Sequence, residues 1–277
     1  MSQQSWMSSA LVTLAMALPT APVVHAERLE PASFAGWTVY VSATESRVTR
    51  ELGDGHRFLG IDFDADAASE RAAVLGGQVL VRPLEAFGAD DRSIDVPSAR
   101  VHHWRGVVFV PGVTLAGLLA DLRRNAPPAG RDDVLASQVL ERGPDRMRVY
   151  LKLQRRKLVT VVYNTEHLVT FKTYGPARAS TVSVATKIAE LENPGTLQER
   201  ERPQGDDRGF LWKLNAYWRY EQVAGGVIAE CESISLSRDA PALVRYVVEP
   251  LIESTARESM ERTLTAFRAR FAATTRS

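Results

Sequence analysis

Residues 210–222 read Phe-Leu-Trp-Lys-Leu-Asn-Ala-Tyr-Trp-Arg-Tyr-Glu-Gln, and their alternation decides the fold. Apolar or aromatic side chains fall at Trp212, Leu214, Ala216, Trp218 and Tyr220. Lys213, Asn215, Tyr217, Arg219 and Glu221 take the positions between. A period of two is that of a strand with one face buried. Ala224-Gly225-Gly226 supplies the positive-φ residues of a tight hairpin turn, and 227–236 forms the return strand. A loop at Ala224-Gly225, or at 223–226 in the same register, sets Arg219 opposite Glu230 and Tyr217 opposite Glu232. It also sets Trp218 opposite Cys231 and Tyr220 opposite Ala229. A slip of one residue would oppose Glu221 to Glu230, a repulsive pair, so the first register is preferred. On it, the face of Trp212, Trp218 and Tyr220 points inward.

The hairpin runs into a long amphipathic helix. Asp239 is its expected N-cap and Pro241 lies in its first turn. Leu243, Val247, Leu251, Thr255, Leu264, Phe267 and Phe271 recur at helical steps, while Arg257, Glu258, Glu261, Arg262, Arg268 and Arg270 mostly take the other side. Pro250 cannot donate a backbone hydrogen bond, which predicts a kink or restart there. From there to Phe271 the helix would be about 30 Å long, enough to cross a sheet.

Upstream, Trp37, Val41, Thr44, Val48 and Leu52 keep helical spacing up to Gly53-Asp54-Gly55, and 65–75 reads as a second helix. A short strand at 77–83 and a polar loop at 86–97 precede a strand at 101–110. Residues 114–124 form an amphipathic helix with Leu115, Leu118, Leu119 and Leu122 inward. Strands follow at 134–141, 146–154, 157–164, 167–174 and 180–191, with short turns between neighbours, the pattern of an antiparallel meander.

Strand, helix, antiparallel run and terminal helix in that order resemble the helix-grip fold of the START-like superfamily. The resemblance covers about 77–271 and rests on 210–219, 225–236 and 250–271. It implies an α+β fold, a curved antiparallel sheet wrapped around a long C-terminal helix. Residues 27–76 would be an added helical segment at the N-terminus. It further implies a hydrophobic small molecule or lipid held between sheet and helix, and it brings no universal catalytic signature.

The chain has 277 residues, 45% of them hydrophobic and 24% charged, with a formal net charge of +1. That suits one large soluble domain and gives no reason to expect nucleic acid as a partner. Residues 1–26 read as an export signal: a short apolar run at 10–18, Pro19 and Pro22, then Val24-His25-Ala26 before Glu27. No Lys or Arg precedes that run, which departs from the usual pattern. The run is too short to span a bilayer, so the mature chain is expected to be periplasmic or secreted, without a stable membrane span. The single cysteine, Cys231, cannot form an intrachain disulfide and reads as a small core residue.

The expected cavity walls are Trp212, Leu214, Trp218 and Tyr220 from the sheet and Leu251, Thr255, Leu264 and Phe267 from the helix. His102 or Arg219 would orient a ligand. Arg219 with Glu230, and Tyr217 with Glu232, could form a polar network that orients a ligand head group, but a cross-strand ion pair on the outer face is the preferred reading. His102 and His103 alternate across a strand, so they cannot together ligate one metal from it, and no zinc spacing accompanies them. No glycine fingerprint for a nucleotide is present, and no cofactor or metal is implied. Two rival readings stay open. One is a cyclase or hydrolase on the same scaffold, with His102 or His103 as acid/base. The other is a structural or interaction protein with a filled interior.

Overall fold

The computed structural model describes residues 29–129, 133–156, 160–203, 205–239 and 242–274, excepting the side chains of 156, 242–253, 255 and 272–274. Helix α1 spans Pro31–Leu52, a 3-10 turn Gly60–Phe63 follows, and α2 spans Ala67–Leu75. Strands β1 (Leu80–Pro83) and β2 (Ala99–Pro111) lead to α3 (Leu115–Arg124). Then come β3 (Val134–Arg142), β4 (Arg146–Arg156), β5 (Thr160–Thr173), β6 (Arg178–Glu192) and the short β7 (Arg200–Glu201). The chain closes with β8 (Lys213–Val223), β9 (Gly226–Arg238) and α4 (Ala242–Thr274).

The strands form one antiparallel sheet in the order β1-β2-β9-β8-β6-β5-β4-β3, with β7 beside β6. The sheet is open, with β1 and β3 at its edges. The β8–β9 hairpin has the expected register: Arg219 faces Glu230, Tyr217 faces Glu232, Trp218 faces Cys231 and Tyr220 faces Ala229. Val223 pairs with Gly226, so the loop is Ala224-Gly225, and Gly225 holds a φ of +80°. That is the left-handed conformation only glycine adopts without strain.

Helix α4 lies along β2 and β1. Its Leu264 is fully buried with Val108, Val110, Ala229 and Cys231. Close approach depends on Gly106: a Cβ there would sit 2.5 Å from Leu264 Cδ1 and 2.7 Å from Met260 Cγ. The helix runs from Ala242 to Thr274 without a restart at Pro250. Pro241 and the leader 1–26 lie outside the described residues.

One sequence expectation fails between β4 and β6. The two strands expected at 157–164 and 167–174 are a single strand, β5. Thr165 and Glu166 sit in its middle and pair with Leu151 and Tyr150 of β4. The interruption is instead a one-residue register shift towards β6, where Glu166 faces Lys187 and His167 faces Ala185. A bulge of this kind bends a strand without ending it.

The opposite face of the sheet is covered too. Trp37, Tyr40, Thr44, Val48 and Glu51 of α1 are buried at helical steps. Trp37 and Tyr40 pack with Ile234, Leu236 and Tyr217. Phe58, Leu59 and Ile61 at the 3-10 turn join Val74, Val107 and Ile228. Both faces of β8 and β9 are therefore inside the protein.

Candidate ligand cavity

Alternate residues of adjacent strands share a face, so Met147, Val149 and Leu151 of β4 stand beside His167, Val169 and Phe171 of β5. Thr181 and Ser183 of β6 and Trp218 and Tyr220 of β8 continue the same wall. Leu122 of α3 and Ala266, Phe267 and Arg270 of α4 close over it. Together they enclose a cavity of about 940 Å³. That is the size of a site for a drug-sized ligand.

An aromatic cluster fixes the helix to the wall. Phe267 stacks on Trp218 with ring centres 4.9 Å apart, and Trp218 stacks on Tyr220 at 6.0 Å. Phe271 joins Phe267 at 5.1 Å. The Tyr220 hydroxyl shares a 3.2 Å hydrogen bond with Thr181. Burial pushes that phenol well above its ordinary range, so it stays protonated.

Lining residues that reach solvent, among them Pro127, Pro128, Glu258 and Thr265, lie on α4 and on the connector from α3 to β3. The mouth is therefore on this side. Charged groups there are paired. Asp133 lies 3.4 Å from Arg262 and 3.5 Å from Arg155, and Arg270 is 2.6 Å from Asp121.

His167 is the polar feature of the inner wall. It is buried, its Nε2 is 3.0 Å from Thr165 Oγ1 and its Nδ1 is 3.4 Å from Ser183 Oγ. Burial holds its pKa down to about 4, so the ring is neutral at physiological pH. Sequence reading did not put His167 on the cavity wall, because it was placed at the start of a separate strand. The signal was its alternation with Val169 and Phe171.

Of the residues expected at the site, Trp218, Tyr220 and Phe267 line the cavity. Leu264 shares the α4 face but is buried in the core beneath it. The side chains of Leu251 and Thr255 lie outside the described residues. Leu214 is half-buried on the same face of β8, opposite Ser235 and off the cavity wall.

Three expectations are corrected. Trp212 packs on the other side of the sheet, in the cluster of Trp37 and Tyr40. Strand β8 begins at Lys213, and Trp212 belongs to the preceding turn, where its Nε1 donates to Asp207 at 3.1 Å. Alternation inside a strand says nothing about a residue before it. His102 is on the α4 face but off the cavity wall, with Nε2 3.0 Å from Ser237 Oγ.

Arg219 faces α1, away from the cavity. The face expected to be the outer one is buried and carries an ionic network. Arg219 donates to Glu51 at 2.5 Å and to the Phe58 carbonyl at 2.9 Å, with Glu230 at 3.7 Å. The Glu230 carboxylate accepts from the backbone N–H of Gly60 at 2.7 Å and of Ile61 at 3.0 Å. Glu232 lies 2.5 Å from Arg47 and 2.8 Å from His103 Nε2. His103 Nδ1 is 2.9 Å from the Tyr40 hydroxyl, which itself accepts from Ala86 N–H at 3.1 Å. His103 is thus sealed on the side opposite the cavity. Burial works against ionising Glu232. The His103 hydrogen bond and the charges of Arg47, His103 and Arg219 overcome it and hold the carboxyl near 2.

No protein-family description and no curated protein matches the chain. Its similarities are to solved structures. One is a STAR-related lipid transfer protein fragment from Xanthomonas axonopodis, 18% identical, covering 64% of this chain and 96% of that one, with a TM-score of 0.42. Another is the lipid transfer and protein localization domain of human StarD13, 12% identical, covering 74% and 98%, with a TM-score of 0.39. A third is the Zhui aromatase/cyclase from Streptomyces sp. R1128, 14% identical, covering 64% and 91%, with a TM-score of 0.32. Each of the three has a TM-score below 0.5 and less than 20% identity to this chain, which is too little to assign it a family or a role.

Proposed function

We propose that this chain is an exported, non-catalytic binding protein that holds an apolar small molecule or lipid between its sheet and α4. The cavity of about 940 Å³, walled by Val149, Val169, Phe171, Trp218 and Phe267, carries the reading. An interior filled by side chains, as a purely structural protein would have, does not fit it. Transfer of apolar surface from water contributes roughly 25 cal/mol per Å² before the costs of ordering. A ligand burying about 300 Å² would thus gain about 7.5 kcal/mol gross.

The histidines that the sequence offered for acid/base work do not reach the cavity: His103 is sealed by Tyr40 and Glu232, and His102 is held at Ser237. This favours binding over turnover by those groups. Two measurements test the proposal on protein purified from its own host. Native mass spectrometry and solvent extraction should recover an apolar ligand near one per chain. A chain that is empty and takes up no apolar dye would end the binding reading. N-terminal sequencing should begin at Glu27; an intact Met1 on the native protein would end the export reading.

A further inference from the structure

We propose that the ligand carries an uncharged hydrogen-bond donor, a hydroxyl or an amide N–H, received by His167 Nδ1 and Ser183 Oγ on the cavity wall. This rests on the apolar-binding reading above and deepens it. The argument begins at Thr165, whose hydroxyl donates to the Leu151 carbonyl at 3.0 Å. With its own hydrogen used there, Thr165 Oγ1 can only accept from His167 Nε2, 3.0 Å away. The ring proton therefore sits on Nε2, and Nδ1 presents a lone pair. Its one partner in the described residues is Ser183 Oγ at 3.4 Å, at the outer limit of a hydrogen bond. His167 and Ser183 both line the cavity, in a wall otherwise built there of Val149, Val169 and Phe171.

An apolar ligand that expels water from this wall leaves the Nδ1 lone pair poorly partnered unless it brings a hydrogen of its own. A hydroxyl or amide does so, and the Ser183 hydroxyl can donate to the ligand oxygen in return. A carboxylate offers only acceptors to a lone pair. The cations that line the cavity, Arg262 and Arg270, are at the mouth and paired with Asp133 and Asp121. An acid would accordingly enter tail first, with its head at the mouth and no dependence on His167.

The test uses the purified full-length chain, delipidated, and displacement of Nile red by 1-dodecanol, its methyl ether and dodecanoic acid. The ether keeps the oxygen and the chain but has no hydrogen to donate. The alcohol-to-ether affinity ratio should fall roughly tenfold in His167→Phe, while dodecanoic acid is unchanged. Ser183→Ala, which preserves the shape of the wall, should lower the same ratio by a smaller factor and serves if His167→Phe does not fold. An alcohol-to-ether ratio equal to wild type in a folded variant overturns the assignment and leaves apolar binding standing. Failure of Nile red to bind the wild-type chain removes the cavity reading and this inference with it.

Discussion

The two faces of strand β8 solve opposite problems. On one, Trp218 and Tyr220 stack with Phe267 beside open space. On the other, Tyr217, Arg219 and Glu221 are buried against α1 and α2 with their charges and hydroxyl engaged. A void beside an apolar group forfeits only dispersion contacts. A void beside a buried charge leaves that charge unsolvated, at a cost of several kcal/mol. A cavity is therefore tolerable on the first face and forbidden on the second. The ionic face must keep its charges paired, and the apolar face is free to hold something else.

The sharpest way to break this contrast is at Arg219. Arg219→Met removes the cation between Glu51 and Glu230 and leaves both carboxylates buried. The expected loss is about 3–5 kcal/mol, read as a lower urea midpoint or as failure to fold. A loss below about 1 kcal/mol would show that water reaches this face and that the contrast is false. Gly60→Ala probes the same layer without removing a charge. Its new Cβ would lie 2.5 Å from Arg105 Nη1 and 2.7 Å from Glu230 Oε1, so either those side-chain ends or the 3-10 turn must shift, and the urea midpoint should fall.

Next in size is the anchor of α4. Leu264→Ala empties a fully buried site against Gly106 and should cost about 2–5 kcal/mol in thermal or urea unfolding. Trp218→Ala should cost well below the roughly 3–5 kcal/mol of a fully packed tryptophan, because one side of the ring borders the cavity. Nile red binding should persist in it with altered affinity. Equal losses at Leu264 and Trp218 would mean that the space beside Trp218 is packed in solution.

The contrast also explains what the sequence could and could not tell. Register was legible, because pairing Arg219 with Glu230 and Trp218 with Cys231 avoids a like-charge clash and needs nothing outside the hairpin. Placement of Phe267 and Leu264 on the sheet side of α4 was legible from helical spacing. The role of Arg219 was not. Alternation separates the two faces of a strand but does not say which face is solvated, and a charged face suggests water. Its covering, Glu51 and Phe58, lies more than 150 positions away in the chain. Trp212 was misplaced for a different reason, since periodicity was carried one residue past the strand's start. His167 was not set on the wall because one strand was read as two, ending at 164 and resuming at 167, where the structure has a continuous strand.

The two faces also separate by pH. His167, on the cavity side, has its pKa depressed by burial to about 4 from an ordinary 6.5. The unfolded chain takes up that proton below about 6.5, and the folded chain resists it until about 4. Stability therefore declines as pH falls through that window, by at most about 1.4 kcal/mol per unit. His102 is depressed to about 4 by burial, with Arg100 adding to it, and contributes in the same window. Glu232, on the ionic face, is held near 2 against an ordinary 4.5, so its contribution is intact above 4.5 and is lost on descent towards 2. Urea midpoints measured from pH 7 to pH 3 should then fall in two stages. His167→Asn should make the upper stage shallower, leaving the share of His102, without changing the lower one, and Glu232→Gln the reverse. If His167→Asn leaves the slope between pH 6.5 and 4 unchanged, its ring is already wet in the empty protein. A wet ring would place standing water in the cavity at the point where the ligand's donor is expected to arrive.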